Sequence, residues 1–272
     1  MRSAIKLKSL LLVLMCAGTA GFSIDAARAE QSVVAVRLFQ RAQQLSDAYQ
    51  FELSMKLLNQ AIEIDPAYAD AYWLRGIAHA ELDQFEAALR DYNKAIKYRP
   101  NCEKYYFDRG KLYAGHSMWE PGIPDLELCI KMDPKAERPH YWVARCYKGV
   151  GRYDDALKEY ALAIKIVPTD LDMNRERAAL YKQMKQYKNA IADLEKVAKV
   201  SQDDAVALQN LADAYVLDGQ YQKAVTTYGE AINLEPQFRD AYLHRALAYD
   251  HLGNKKLAEA DRKTAAAVAK AN

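Results

Sequence analysis

The chain lacks the short motifs by which many enzymes can be read from sequence. No G-x-x-x-x-G-K-S/T phosphate loop, G-x-G-x-x-G turn, H-E-x-x-H helix or G-x-S-x-G elbow occurs in its 272 residues. The loops and helices that cradle phosphate, hold zinc or present a serine nucleophile are therefore not signalled. Nothing points to catalysis, and no cofactor or metal is expected. Beyond the first 29 residues no run is apolar enough to span a bilayer. Net charge is also scarce, at +2 for the whole chain. Residues 1–29 hold Arg2, Lys6, Lys8 and Arg28 against Asp25, so the remainder carries a net charge of −1. Such a chain projects no broad field toward nucleic acid or an anionic membrane.

Those first residues have their own logic. Arg2, Lys6 and Lys8 precede an apolar stretch from Leu10 to Ala17, and Ala27-Arg28-Ala29 gives a small-x-small cleavage signal. This pattern predicts a secretory signal peptide over 1–29, cut before Glu30, and export, with the bacterial periplasm as destination. Secretion from the cell and an uncleaved anchor are the alternatives. Met15 stands before Cys16 where a bacterial lipoprotein signal needs a small residue, which argues against lipid attachment. Three cysteines then remain, Cys102, Cys129 and Cys146. None has zinc-type spacing, and an odd number allows one disulfide at most. A Cys129–Cys146 bond and two buried thiols are both open.

What the chain does have is a period. Pro66, Pro100, Pro134, Pro168 and Pro236 share one 34-residue register, with Gln202 in the single empty slot. They close the similar phrases AIEIDP, AIKYRP, CIKMDP, AIKIVP, VAKVSQ and AINLEP. After a short lead-in at 30–34, seven units are predicted: 35–68, 69–102, 103–136, 137–170, 171–204, 205–238 and 239–272. When the units are aligned, columns of one size appear. The eighth column is Ala42, Gly76, Gly110, Ala144, Ala178, Ala212, Ala246. The twentieth is Ser54, Ala88, Gly122, Ala156, Ala190, Ala224, Ala258, and the twenty-seventh Ala61, Ala95, Cys129, Ala163, Val197, Ala231, Ala265. The eleventh holds Tyr113, Tyr147, Tyr181, Tyr215 and Tyr249, and the seventeenth Phe51, Phe85, Trp119, Tyr153, Tyr187 and Tyr221. Spacings of three and four within each half are helical. Gly115, Gly149 with Gly151, Gly219 and Gly253 mark a turn between two helices, and the proline ends the second. One such pair cannot bury its own apolar face, whereas stacked neighbours bury it together.

Charges also fall into columns. The seventh is Arg41, Arg75, Arg109, Arg177 and Arg245, with Val143 and Leu211 elsewhere, and the twenty-third holds Asp91, Asp125, Asp193 and Asp261. Arginine and aspartate occur together in four units and are both absent from the sixth, which has Leu211 and Thr227. This predicts structural ion pairs Arg75–Asp91, Arg109–Asp125, Arg177–Asp193 and Arg245–Asp261 between the two helices of a unit. Arg41 faces Leu57 and needs another partner, while Val143 with Glu159 fits no pairing. His244 and His251 lie on one helix face near Asp240 and Asp250, a pattern read as a solvated face rather than a metal site. Pro121 can be tolerated in a first turn, whereas Pro124 either removes a helical hydrogen bond or delays the second helix of unit three, and the late start is the reading preferred.

The period, with Tyr72, Gly76, Phe85, Ala88, Tyr92, Ala95 and Pro100 of unit two, resembles the tetratricopeptide repeat family over residues 35–272. Departures are His140 and Asn174 at the early aromatic, Gln202 at the proline, and Lys255 and Arg262 at apolar slots of the last unit. The resemblance implies an all-α, right-handed α-solenoid whose first helices line a concave groove. Family groove positions map onto Trp73, Lys104, Phe107, Lys111, Arg138, Tyr141, Trp142, Arg145, Lys148 and Arg175, basic heads among aromatic faces. Asn210, Asp213, Asp240, His244 and Asp250 make the C-terminal stretch more acidic. The implied role is an exported scaffold, in a cell-envelope assembly, that captures a peptide or helix from another protein, with an acidic or carboxylate-bearing segment as the expected guest. A carrier for unfolded exported chains is the alternative. The family's familiar carboxylate clamp is not supported, because Lys104 has no matching asparagine at the ninth position.

Overall fold

The computed structural model describes residues 24–271. Most of the expected leader, residues 1–23, lies outside the described residues, and the first helix runs through the expected cleavage point before Glu30. Fourteen helices and no strand occur among the described residues. They form seven antiparallel pairs: α1 (Ile24–Asp47) with α2 (Phe51–Ile64), α3 (Ala69–Glu81) with α4 (Phe85–Tyr98), α5 (Glu103–Gly115) with α6 (Trp119–Met132), and α7 (Glu137–Gly149) with α8 (Tyr153–Ile166). α9 (Leu171–Gln183) with α10 (Tyr187–Val200), α11 (Ala205–Leu217) with α12 (Tyr221–Leu234), and α13 (Arg239–His251) with α14 (Lys255–Ala271) complete the series. The first helix of each pair from α3 to α13 has 13 residues, and each second helix from α2 to α12 has 14. The chain is thus an all-α helical repeat.

Each pair turns through one residue in the left-handed region: Tyr49, Asp83, Ser117, Gly151, Lys185, Gly219 or Gly253, with φ between 57° and 80°. The following N–H returns to a carbonyl in the last helical turn, as in Gln50 to Leu45, Arg152 to Tyr147 and Gln220 to Tyr215, each at 2.8 Å. This closes the orphan carbonyls that every helix end leaves. The expectation from Gly115 and Gly149 needs correcting, because both lie at the ends of α5 and α7 and neither is the turning residue. Gly149 has a packing role instead. A Cβ there would fall 2.4 Å from the Trp119 ring.

The late helix start expected from Pro121 and Pro124 is also corrected. α6 begins at Trp119, on the register of the other second helices. Pro121 stands in the first turn, where its missing N–H would have no helical partner anyway. Pro124 gives up only the bond that would reach back to Glu120, a local loss that the packed helix absorbs.

The described residues form two compact units, one up to Tyr105 and one from Tyr106 onward. In the first, Ala42, Leu58, Ala61, Ala71 and Leu74 form one core cluster, and Tyr72, Ala95 and Tyr105 another. In the second, Phe107, Leu126, Val143, Cys146, Tyr160 and Leu180 form one cluster, and Leu194, Leu211, Tyr215 and Tyr228 another. The twentieth and twenty-seventh columns are buried throughout, so larger side chains there would force helices apart. Neighbouring pairs are also pinned by hydrogen bonds. Tyr147 and Tyr215 donate to Glu127 and Glu195 of the preceding second helix at 2.5 and 2.7 Å.

Cys129 and Cys146 are both buried and form no disulfide with each other in this structure. Burial pushes the Cys146 thiol up to about 11, so little reactive thiolate forms at neutral pH. Lys255 and Arg262 of the last pair are exposed, and Arg262 bonds Asp250.

Candidate functional site: the first-helix face

Four arginines are set aside from ligand binding by their geometry. Arg75, Arg109, Arg177 and Arg245 each donate through Nε and Nη2 to Asp91, Asp125, Asp193 and Asp261 at 2.7–2.8 Å. These forks join the two helices of a pair, and the carboxylates are buried. Arg41, without an aspartate opposite, donates to Gln44 on its own helix at 2.9 Å.

The departures at the early aromatic position have a shared cause. His140 meets Glu159 at 2.6 Å and the Pro134 carbonyl at 3.2 Å, while Asn174 donates to Asp193 at 3.0 Å. A polar residue at that position reaches the carboxylate of the second helix. Glu159, unmatched by Val143, is therefore matched by His140.

In the first unit Lys104 stacks over Trp73 at 3.9 Å and pairs with Asp70 at 2.7 Å. Arg99 and the Tyr105 hydroxyl also bond Asp70, at 2.9 and 2.8 Å. Burial pushes the Asp70 carboxyl up, but these hydrogen bonds and the charges of Lys104 and Arg99 outweigh it and hold the group below its ordinary range. Trp73 and Lys104 are thus brought together around an acid that the chain itself supplies.

In the second unit the expected residues separate into two groups. Phe107 lies in the core, with Arg138 over its ring at 4.7 Å. Lys148 pairs with Glu176 at 2.6 Å, and Arg175 with Asp172 at 2.7 Å and Asp204 at 3.4 Å. Lys111 is half-buried. The second group surrounds a cleft of about 200 Å³ lined by Glu137, Arg138, Tyr141, Trp142, Asp170, Asp172 and Met173. α7 brings Arg138, Tyr141 and Trp142 to this cleft, with Arg145 one turn further along the same helix face, because the four recur at helical spacing. Tyr141 and Trp142 meet edge to face at 5.6 Å. Arg145 lies over the Trp142 ring at 4.7 Å and the Tyr141 ring at 5.8 Å. Among the described residues neither Arg138 nor Arg145 contacts a carboxylate.

Toward the C-terminus the acidic stretch is internally satisfied. Asp213 accepts from the Tyr228 hydroxyl at 2.5 Å and meets His244 at 2.9 Å. His251 stacks flat on Tyr221 at 4.3 Å, so His244 and His251 have separate occupations. Sequence reasoning missed Glu137, Asp170, Asp172 and Met173 of the cleft, and Tyr160 and Glu176 nearby. Tyr160 could have been found from its column, where Tyr92 and Tyr228 also stand.

Comparison with known proteins agrees with this architecture. The TPR repeat model matches residues 50–83 and 212–253, and tetratricopeptide repeat models match 69–102 and 176–204. The matched stretches leave out 103–175, which contains Pro121, Pro124, His140 and the cleft residues of α7. No curated protein matches the chain. Among solved structures, a tetratricopeptide repeat protein from Parabacteroides merdae aligns with a TM-score of 0.64 and 16% identity, over 86% of this chain and 93% of that one. MamA from Desulfovibrio magneticus aligns at 0.57 and 20% identity, over 62% and 96%. YrrB, described as a TPR protein with an unusual peptide-binding site, aligns at 0.57 and 16%, over 65% and 91%. At these identities the likeness shows the fold alone.

Proposed function

We propose that this chain is a non-catalytic interaction scaffold that captures an extended, acidic peptide on the first-helix face of its third to fifth repeats. One observation carries the reading: around the α7 cleft, Arg138 and Arg145 rest on aromatic rings instead of on carboxylates. A guanidinium on a ring face keeps its edge donors available for a planar acid. An exposed Arg138 beside the half-buried Tyr141, Trp142 and Arg145 suits a peptide whose backbone lies along the helices and whose acids meet the arginines. The leader read from the sequence supports export to a bacterial periplasm, where such a scaffold would hold together parts of an envelope assembly.

The test is selection of a random peptide library on the wild-type protein, with the Arg138→Glu/Arg145→Glu variant as control. Selected peptides should share acidic positions and bind the variant about tenfold or more weakly, a loss of about 1.4 kcal/mol or more, while helical circular dichroism stays the same. Unchanged affinity would remove the assignment of this face. Recovery of unrelated, unfolded chains without a common pattern would favour a carrier of unfolded proteins instead.

A further inference from the structure

Tyr160 is the one buried side chain among the described residues whose polar atom lacks a hydrogen-bond partner. Its residue is fully buried in the cluster that α5 to α9 contribute, and its ring meets the Tyr141 ring edge-on at 6.2 Å. Tyr141 also lines the α7 cleft, so the Tyr160 ring packs against a lining residue of the candidate binding face.

The reason for the orphan appears on comparing two repeats. Tyr160 and Tyr228 occupy the same column, and the residue fifteen positions earlier is Arg145 in one case and Asp213 in the other. Asp213 accepts the Tyr228 proton at 2.5 Å. Arg145 carries donors only and can accept nothing. The nearby carboxylate of Glu176 is held by Lys148 at 2.6 Å. Repeat four therefore offers the phenol proton no acceptor at this position, where repeat six offers it the Asp213 carboxylate. A buried hydroxyl without an acceptor is costly, and an arriving acceptor would remove that cost while pairing Arg145.

We propose that Arg145 and the Tyr160 hydroxyl form a carboxylate subsite, an inference that rests on the peptide-capture reading above and names the chemistry it selects. The guest group is an Asp or Glu side chain or the terminal carboxylate of the captured peptide. It meets Arg145 beside Trp142, and the Tyr141 ring moves aside to admit it to the hydroxyl. The planar guanidinium supplies paired donors to one edge of the acid, and the phenol donates to the oxygen left over.

Peptides recovered by selection on the wild type provide the probe. Each is resynthesised with Glu→Gln or Asp→Asn at single positions, and separately with an amidated C-terminus, which distinguishes the two sources of the carboxylate. One such change should weaken binding about tenfold in the wild type and have little further effect in Arg145→Gln. Tyr160→Phe should weaken the unmodified peptide several-fold without lowering the melting temperature. Tyr228→Phe, which loses a bond that is made, should lower it. Recovered peptides that tolerate every neutralisation, or that bind Arg145→Gln and Tyr160→Phe as well as wild type, would overturn the subsite while leaving capture standing. A melting temperature that falls in Tyr160→Phe as far as in Tyr228→Phe would also overturn it, because the hydroxyl would then have an internal partner. If no peptide is recovered, peptide capture itself fails.

Discussion

Repeats four and six abandon the arginine–aspartate bridge in different ways. Repeat six replaces it with Leu211 and Thr227, both buried, and closes its remaining polar groups on Asp213, which serves Tyr228 and His244. Repeat four puts Val143 in place of the arginine, satisfies Glu159 with His140, and leaves Arg145 and Tyr160 without an acceptor. Helix lengths and the turn register are the same in both. The backbone therefore rests on its small-residue columns and turns, and the polar columns are free to be closed or left open to a visitor.

The largest effect comes from moving the repeat-six solution into repeat seven. Arg245→Leu alone strands the buried Asp261 carboxylate and should cost about 2–3 kcal/mol in urea denaturation. Adding Asp261→Thr, on the Leu211–Thr227 pattern, should recover most of that loss. If the single and double variants were equally unstable, the bridge would be more than one of two interchangeable fillings.

A smaller effect tests the shared turn. Lys185 holds a left-handed φ of 58° where Gly151 and Gly219 hold it in repeats four and six. Lys185→Gly should raise stability by about 0.5–1 kcal/mol, because relief of the side chain's strain outweighs glycine's greater freedom when unfolded. A loss of stability would show that the lysine has a contact that offsets its strain.

The smallest effect concerns the closed cluster of repeat six. The hydrogen bond to Asp213 raises the His244 pKa, burial opposes it, and the charges of Asp213 and Asp240 add to the rise. Gln209 and Tyr228 also face the ring. Since the folded value lies above the ordinary one of about 6.5, the contribution is full at lower pH and is lost as pH rises through the folded value. The melting-temperature difference between wild type and His244→Gln should therefore shrink from pH 6 toward pH 8. A difference independent of pH would mean that the imidazole acts only through packing.

Much of the helical frame was legible because sterics repeat. Small residues that let helices touch, such as Ala88 and Ala156, recur at fixed positions, and helix ends follow from the register of the prolines. The turning residue was obscured because glycine fills it only at 151, 219 and 253, while Tyr49, Asp83, Ser117 and Lys185 accept the same strain. At the site, the basic and aromatic residues of α7 were visible from their spacing. Which charges were already occupied was not, since Glu176 comes from α9 and Asp204 from the cap of α11, and their reach depends on packing. The His140–Glu159 pair was hidden for a related reason. Each residue departs from its own column, and only the folded pair shows that one departure answers the other.

The most direct measurement is a crystal structure of the wild-type protein with a peptide recovered by selection. The peptide should run along the α7 face with an acid on Arg145 and its chain beside Tyr141 and Trp142. A peptide bound elsewhere, with that cleft left empty, would contradict the proposed site.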